Sequence, residues 1–203
     1  MSIYVIRHAD KEPGDFYTDG IPLNDQPISE TGRQQALSLV DYFQGVDIAT
    51  IHVSQYIRTL QTIDGVARAK QLSPRVDPRL NEVNIGVLDR LTPEQVEEQY
   101  PEFWSMYLQR SCDFRFPNGE SGDEAGARVF ALFSELDPAE NHVLVAHDGI
   151  IRALICKVLS IPTYRRHLFA IDYCSITVFE YSQQFKCWTV PRINMTVYDN
   201  HQP

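Results

Sequence analysis

The sequence has few cysteines, few basic residues and no long hydrophobic run, and each shortage excludes a class of protein. Four cysteines occur in 203 residues, none in a Cys-x-x-Cys pair or at a spacing from histidine typical of zinc sites. We therefore expect reduced thiols rather than a disulfide framework. No apolar stretch approaches the roughly 20 residues that span a bilayer, and the N-terminus lacks the basic-then-apolar order of a signal peptide. These absences predict a cytoplasmic protein.

Positive charge is also scarce, with 18 lysines and arginines against 27 aspartates and glutamates and a formal net charge of −9. A field of this sign repels nucleic acid and anionic membranes, so neither is an expected partner. The proportions of hydrophobic and charged residues, 43% and 22%, are ordinary for a chain that buries a core. The length predicts a single domain over residues 1–203. The sequence does not determine the oligomeric state, and a homodimer is left open.

The first half of the chain alternates strand-like and helical patterns. A short β-branched run at residues 3–6 predicts a buried strand, and the Pro/Gly/Asp-rich segment 13–25 predicts a long loop after it. A helix is expected over residues 30–44 behind the N-cap Ser29. Residues 48–53 predict a second strand. The helical stripe that follows contains Tyr56, Leu60, Ile63 and Ala67.

The second half continues the alternation and adds an aromatic segment. Residues 92–95 form a capping box with proline at the first helical position, which predicts one helix running through Val96 and Phe103 to Tyr107. We expect the region of about residues 90–120 to be a lid-like insertion, whose rings are either helix core or the lining of a substrate pocket. The remaining patterns predict a helix after a second capping box at 121–124, a strand over 143–146, a mostly buried helix over 150–159 and a hairpin over 175–197.

Strands that alternate with helices predict an α/β fold, a three-layer α/β/α arrangement with a mostly parallel central sheet and a small helical insertion over the site. Ligands of such sheets bind beyond the carboxyl ends of the strands. Arg7 and His8 follow the first strand, Arg58 follows the second, and His147 follows the strand at 143–146. Arginine's planar fork of donors suits phosphate, and a neutral imidazole can attack phosphorus. These residue types make histidine-based phosphoryl transfer possible.

Five short motifs follow one another between residues 3 and 155. The first is Arg7-His8-Ala9-Asp10, and the second, at 54–62, has the pattern Ser-x-x-x-Arg-x-x-Gln-Thr. The others are Leu-x-Glu-x-x-x-Gly at 80–86, Pro-Asn-Gly-Glu-Ser at 117–121 and Val-Ala-His-Asp-Gly-Ile-Ile-Arg at 145–152. In this order they resemble the motifs of the histidine phosphatase superfamily, which includes the phosphoglycerate mutases, and in particular its broad-specificity and α-ribazole-type phosphatases.

The resemblance implies a metal-independent phosphomonoester hydrolase, without a cofactor, that acts on a small phosphorylated metabolite through a phosphohistidine intermediate. His8 would be the nucleophile, and Arg7, Arg58 and His147 would hold the non-bridging oxygens of the phosphoryl group. Glu82 would protonate the leaving oxygen and then deprotonate the attacking water. That role needs a carboxyl group whose pKa is raised.

Several residues have a competing structural explanation. Glu120 and Ser121 are candidate substrate ligands by motif position, but Ser121 is also the N-cap of a predicted helix. Asp148 stands where the family often has glycine and is a third candidate substrate ligand. Arg110 and Arg115 would either meet a second anionic group on the substrate or be ordinary surface cations.

Other functions remain open within and outside this family. Residues 11–15, Lys-Glu-Pro-Gly-Asp, do not resemble the Glu-Ser/Thr-x-x-Asn continuation of phosphoglycerate mutases, which disfavours a dedicated mutase. The step after Gly86, at residues 87–90, is also altered from the family pattern. The alternatives are a mutase or sugar bisphosphatase of the same family and a non-catalytic module that binds a phosphorylated ligand. Such a module would not need both a nucleophile and an acid.

Overall fold

A six-stranded mixed sheet forms the centre of the molecule in the computed structural model, which describes residues 1–13 and 25–198. Its strands are β1 (Ser2–Arg7), β2 (Thr50–Val53), β3 (Arg75–Val76), β4 (His142–Ala146), β5 (Ile176–Ser182) and β6 (Cys187–Met195). The order across the sheet is β3-β2-β4-β1-β5-β6. The first four strands in that order are parallel, and the predicted late hairpin supplies the two antiparallel ones.

Three of the helices begin at caps that the sequence predicts. The helices are α1 (Glu30–Phe43), α2 (Ile57–Lys70), α3 (Pro93–Gln99), α4 (Pro101–Gln109), α5 (Gly122–Glu135) and α6 (Asp148–Val158). Ser29 Oγ accepts a hydrogen bond from the Gly32 amide at the start of α1, and complete capping boxes open α3 and α5. Within the described part of the chain, no helix has the length and apolar character needed to cross a membrane.

Alternate residues of the central strands face two separate cores. In β1, Ile3 and Val5 pack with α5, α6 and the aromatic segment, whereas Ile6 packs with α1 and α2. In β4, Leu144 belongs to the first core and Val143 to the second. Because side chains alternate along a strand, a sheet with apolar residues on both faces must be covered on both sides. The three-layer α/β/α arrangement is confirmed.

Two predictions about helices were wrong. The helix expected from residue 92 to Tyr107 is broken at Tyr100, because Pro101 lacks an amide hydrogen and disfavours a helical conformation in the residue before it. Leu60, expected on the buried face of α2, is 38% exposed. The buried residues of α2 are Arg58, Thr59, Thr62, Ile63, Val66 and Ala67. Two threonines in this face weakened the hydrophobic pattern from which the face was predicted. Most of the predicted loop at 13–25 lies outside the described residues.

The aromatic segment is a helical insertion between a 3-10 helix (Pro78–Leu80) and α5. Its Phe103, Phe114 and Phe116 are buried and contact one another with ring centroids 5.3–5.6 Å apart. Asp113 joins the insertion to the start of α5 by accepting hydrogen bonds from the amides of Gly122 and Asp123. The insertion is therefore packed against the body of the molecule at the carboxyl end of the sheet.

Candidate active site

The ends of three parallel strands meet beside a cavity of about 910 Å³. Sheet order places β4 between β1 and β2, so His147 after β4 lies between His8 after β1 and Ser54 after β2. The backbone joins these turns, because the His8 amide donates to the Ala146 carbonyl and the Ser54 amide donates to that of Val145. The predicted site residues that line the cavity are Arg7, His8, Arg58, Glu82, Glu120 and Asp148.

His8 is held as a neutral imidazole with one defined tautomer. Its Nδ1 lies 2.8 Å from the Ala9 carbonyl oxygen, which can only accept, so Nδ1 carries the hydrogen and Nε2 carries the lone pair. Burial, followed by the charges of Arg58, Arg7 and Lys11, lowers the pKa of His8 to about 3, although the hydrogen bond to the Ala9 carbonyl raises it. At neutral pH the free protein therefore presents an unprotonated Nε2.

The turn that carries His8 is fixed by hydrogen bonds from α1 and α2. The Ala9 amide donates to Thr62 Oγ1, and the Thr62 hydroxyl donates to the Arg58 carbonyl. The Asp10 amide donates to the side chain of Gln35 on α1. The sequence motif contained Thr62, but sequence reasoning gave it no role. These contacts leave the turn little freedom and so fix the position of His8.

Two arginines, each supported by a tyrosine ring, flank His8. The Arg7 guanidinium lies 3.8 Å from the ring centroid of Tyr173, and its Nη1 donates to the Ile171 carbonyl at 2.6 Å. Arg58 lies 4.4 Å from the ring centroid of Tyr56. Arg7 Nε is buried without a hydrogen-bond partner among the described residues. A buried guanidinium donor in this state has a hydrogen bond to offer to an oxyanion in the cavity.

His147 contacts the cavity residues but does not itself line the cavity, and its ring is 1% exposed. Arg58 Nη2 donates to His147 Nδ1 at 3.1 Å, and His147 Nε2 consequently donates to Ser54 Oγ at 2.8 Å. Burial, followed by the charge of Arg58, lowers the pKa of His147 well below its usual value. For His147 to donate to a phosphate through Nδ1, Arg58 would have to stop donating to that nitrogen. The Ser54 hydroxyl would then have to donate to Nε2 instead of accepting from it. Sequence reasoning overlooked Ser54, although the second motif begins with it.

Glu82 reaches the start of α6 with both carboxylate oxygens. Oε2 accepts from the Gly149 amide at 3.2 Å, and Oε1 accepts from the amides of Ile150 and Val83. A Cβ at residue 149 would stand 2.7 Å from Oε1, so glycine permits this approach. Burial raises the pKa of Glu82 and the nearby Asp148 adds to the rise, while the three amide bonds oppose it. The raised pKa is the property that a general acid needs.

The other predicted substrate ligands already have protein partners. Asp148 forms an ion pair with Arg152 at 2.6 Å, and Glu120 forms one with Arg128 at 2.7 Å. Both pairs lie at the cavity wall. Ser121 does not line the cavity, and its hydroxyl caps α5, which supports the structural explanation for this residue.

The two arginines of the insertion have different surroundings. Arg115 pairs with Glu124 and donates to the Gly119 carbonyl, so it holds the turn before α5. Arg110 lines the cavity together with Tyr107 and Phe114. The structure also places His167, to which the sequence analysis assigned no role, in the cavity wall. In residues 1–13 and 25–198, no group of three or more His, Cys, Asp or Glu side chains could hold a metal ion.

Comparisons with known proteins show the family to which the chain belongs. The family model for the histidine phosphatase superfamily (branch 1) matches residues 3–196. The probable phosphoglycerate mutase GpmB of Cronobacter sakazakii is 26% identical over 187 residues, which cover 90% of this chain and 86% of that protein. The 6-phosphofructo-2-kinase/fructose-2,6-bisphosphatase 1 of Bos taurus is 31% identical over 160 residues, which cover 78% of this chain and 32% of that protein. The chain thus spans about a third of the length of this second relative.

Solved structures share the fold. A mycobacterial glucosyl-3-phosphoglycerate phosphatase in complex with inorganic phosphate superposes with a TM-score of 0.78 at 25% identity, covering 97% of this chain and 98% of that one. The α-ribazole phosphatase from Shigella flexneri has a TM-score of 0.77 at 22% identity, covering 98% and 100%. The family match over nearly the whole described chain, together with the histidines and arginines at the strand ends, leads to one assignment. The chain is an enzyme of branch 1 of the histidine phosphatase superfamily.

Proposed function

We propose that the protein hydrolyses phosphate monoesters of small metabolites, without a metal, through a phosphohistidine on His8. The observation that carries this proposal is the tautomer of His8, which leaves Nε2 unprotonated in a cavity that Arg7 and Arg58 also line. The volume of about 910 Å³ suits a small molecule. Relatives named as phosphatases, one of them solved with inorganic phosphate, support the same reaction class.

In the first step, His8 Nε2 attacks phosphorus in line and forms a P–N bond while the bond to the leaving oxygen breaks. Glu82 gives its proton to that oxygen, so the alcohol leaves neutral. Arg7 and Arg58 stabilise the charge on the non-bridging oxygens during the transfer. A bound phosphate dianion near Glu82 raises the pKa of this carboxyl further, because it adds negative charge nearby.

In the second step, water attacks the phosphohistidine and the P–N bond breaks. The Glu82 carboxylate, now without its proton, accepts one from the water and returns to its starting state. Inorganic phosphate leaves and His8 is again a neutral imidazole. The two half-reactions balance without a co-reactant other than water.

Chelation tests the expectation that no metal takes part. In a screen of sugar phosphates, phosphoglycerates, nucleotides and phosphoamino acids, we expect phosphate release from the best substrate to be unchanged by excess EDTA, since two arginines supply positive charge at the phosphate. The measurement is initial rate with and without chelator and with added magnesium. Strict dependence on magnesium would contradict the proposal.

A second experiment separates a phosphatase from a mutase, the activity named for GpmB. Residues 11–15 lack the continuation found in mutases, although Gly14 and Asp15 lie outside the described residues. Given 3-phosphoglycerate and a bisphosphoglycerate primer, the protein should release inorganic phosphate and form little 2-phosphoglycerate. Isomerisation much faster than phosphate release would make the mutase alternative correct.

A further inference from the structure

The loop that carries Glu82 is tied to helix α5 by one arginine. Arg128, on α5, lines the cavity beside Glu82. Its Nη1 donates to the Arg79 carbonyl at 2.7 Å, and its Nη2 donates to the Glu82 carbonyl at 3.1 Å. One guanidinium therefore holds the backbone of this loop at two points, of which the second is Glu82 itself.

The same guanidinium forms a paired contact with Glu120. Arg128 Nε donates to Glu120 Oε2 at 3.0 Å, and Nη2 donates to Oε1 at 2.7 Å. Glu120 Oε1 also accepts from the Asn84 amide at 2.8 Å, and the Glu120 amide donates to the Asn84 carbonyl at 2.9 Å. We call Arg128 and Glu120 the α5 clamp. Together they hold the backbone at Glu82 and beyond it at Asn84.

The α5 clamp depends on a close backbone approach at Gly119. A Cβ at this residue would collide with the Asn84 carbonyl oxygen. Glycine therefore lets the motif at 117–121 lie directly against the motif at 80–86. These two motifs, which are separate in the sequence, form one unit around Glu82.

The contacts of Arg128 suit a residue that fixes the position of Glu82 without changing its charge. The four hydrogen bonds go to two carbonyls and to both oxygens of one carboxylate, which a planar guanidinium can reach and a lysine ammonium cannot. A cation placed at the Glu82 carboxyl would lower its pKa and so remove the proton that an acid needs. Arg128 instead donates to the Glu82 carbonyl, and Glu120 neutralises its charge.

We propose that Arg128 is a positioning residue for the general acid and that, with Glu120 as its partner, it fixes the Glu82 backbone so that the carboxyl reaches the leaving oxygen. The inference rests on the proposed function and adds a residue on which its first step depends. The amides of Gly149 and Ile150 hold the Glu82 carboxyl from α6, and the α5 clamp holds its backbone. The acid is thus anchored from two helices.

The first measurement is kcat/KM of Arg128→Gln for two classes of ester, 4-nitrophenyl phosphate and the best alkyl phosphate found in the substrate screen. Without the α5 clamp the acid is displaced, so the alkyl ester should slow by about 10- to 100-fold. The aryl ester, whose leaving group needs no proton, should slow by less than about threefold. Retained aryl turnover also shows that the variant is folded and that its phosphate site is intact.

A double variant separates positioning from a general loss of structure. In the Glu82→Gln background, Arg128→Gln should slow the alkyl ester by less than about threefold more, because no acid is left to position. Arg128→Lys should show a smaller selective loss than Arg128→Gln, since it keeps the charge but not the planar fork of donors. Glu120→Gln should show the same preference for alkyl esters in its loss, because it weakens the other half of the α5 clamp.

The matched control is Arg79→Gln. The side chain of Arg79 pairs with Asp77 and with Glu135 of α5, so it joins the same loop to the same helix. It does not line the cavity, and its guanidinium does not bond the Glu82 carbonyl. This substitution should leave the ratio of alkyl to aryl rates unchanged.

Equal losses for alkyl and aryl esters in Arg128→Gln would overturn the inference, because they indicate a structural role alone. Unchanged rates for both esters, or a full additional loss in the Glu82→Gln background, would overturn it as well. If Arg128→Gln turns over neither ester, Arg128→Lys and Glu120→Gln undergo the same comparison. Failure of the proposed function is seen separately, as the absence of phosphate release by the unmodified protein.

Discussion

The His8→Ala variant should lose at least about 10,000-fold in kcat/KM and should form no labelled phosphoenzyme, because the attacking atom is gone and no neighbouring group replaces it. His147, with ring centroid 5.1 Å from that of His8, has its nitrogens engaged by Arg58 and Ser54. The measurement is steady-state turnover, together with quenched labelling by a radioactive substrate. The label on the unmodified protein should be acid-labile and stable to base, as a phosphoramidate is.

The control for this experiment is His52→Gln, which removes a histidine of β2 that bonds Thr50 and does not line the cavity. That variant should keep both turnover and label. Removal of the His8 ring, which packs against Tyr173, leaves a space the size of an imidazole, so added imidazole should restore part of the turnover of His8→Ala. Full activity in His8→Ala, or a label that survives the substitution, would refute the mechanism.

The second large effect is expected from Glu82→Gln, and its size should depend on the leaving group. Esters of alkyl alcohols should slow by about 100- to 10,000-fold, because their leaving oxygen needs a proton, whereas aryl phosphates with acidic leaving groups should slow much less. The measurement is kcat/KM for a series of leaving groups of graded acidity. Glu98→Gln, an exposed carboxylate on α3, is the matched control and should leave the whole series unchanged.

The pH profile gives an independent readout for Glu82. Its pKa is raised by burial, so the protonated acid persists to higher pH than an ordinary glutamate, and kcat/KM should fall as the pH rises through that pKa. Glu82→Gln should abolish this alkaline limb. His8, with a pKa of about 3, should add no acidic limb in the neutral range. A uniform loss across all leaving groups with an unchanged profile would indicate that Glu82 only supports α6.

The proposed mechanism depends on how the fold places polar residues at one edge of the sheet. Parallel strands direct their carboxyl ends to the same edge, so residues far apart in the chain, such as His8 and His147, come together. This could be predicted from the sequence, because short apolar runs marked the strands and the motif residues followed directly after them. The three-layer fold and the caps of α1, α3 and α5 could be predicted for the same reason: they depend on local periodicity and on side chains three residues apart.

Contacts between distant segments could not be predicted in this way. Nothing in the pattern around Tyr56 or Tyr173 indicates that each supports a cavity arginine, and nothing near Ser54 indicates its bond to His147. The break at Tyr100 was not predicted, because the capping box at residues 92–95 is a strong local signal for a helix. Pro101 nevertheless disfavours a helical conformation at Tyr100 and ends α3 there.

The sequence by itself determined the family, the three-layer sheet and the identity of the residues at the strand ends, since each depends on local patterns and ordered motifs. Only the tertiary structure decided that the pKa of His8 is lowered and that of Glu82 raised, because these shifts depend on burial and on neighbouring charges that local sequence does not specify. The tertiary structure also distinguished Arg110 from Arg115, which lie five residues apart and are equivalent candidates in the sequence. Arg110 lines the cavity and Arg115 pairs with Glu124, a difference that depends on how the insertion packs against α5.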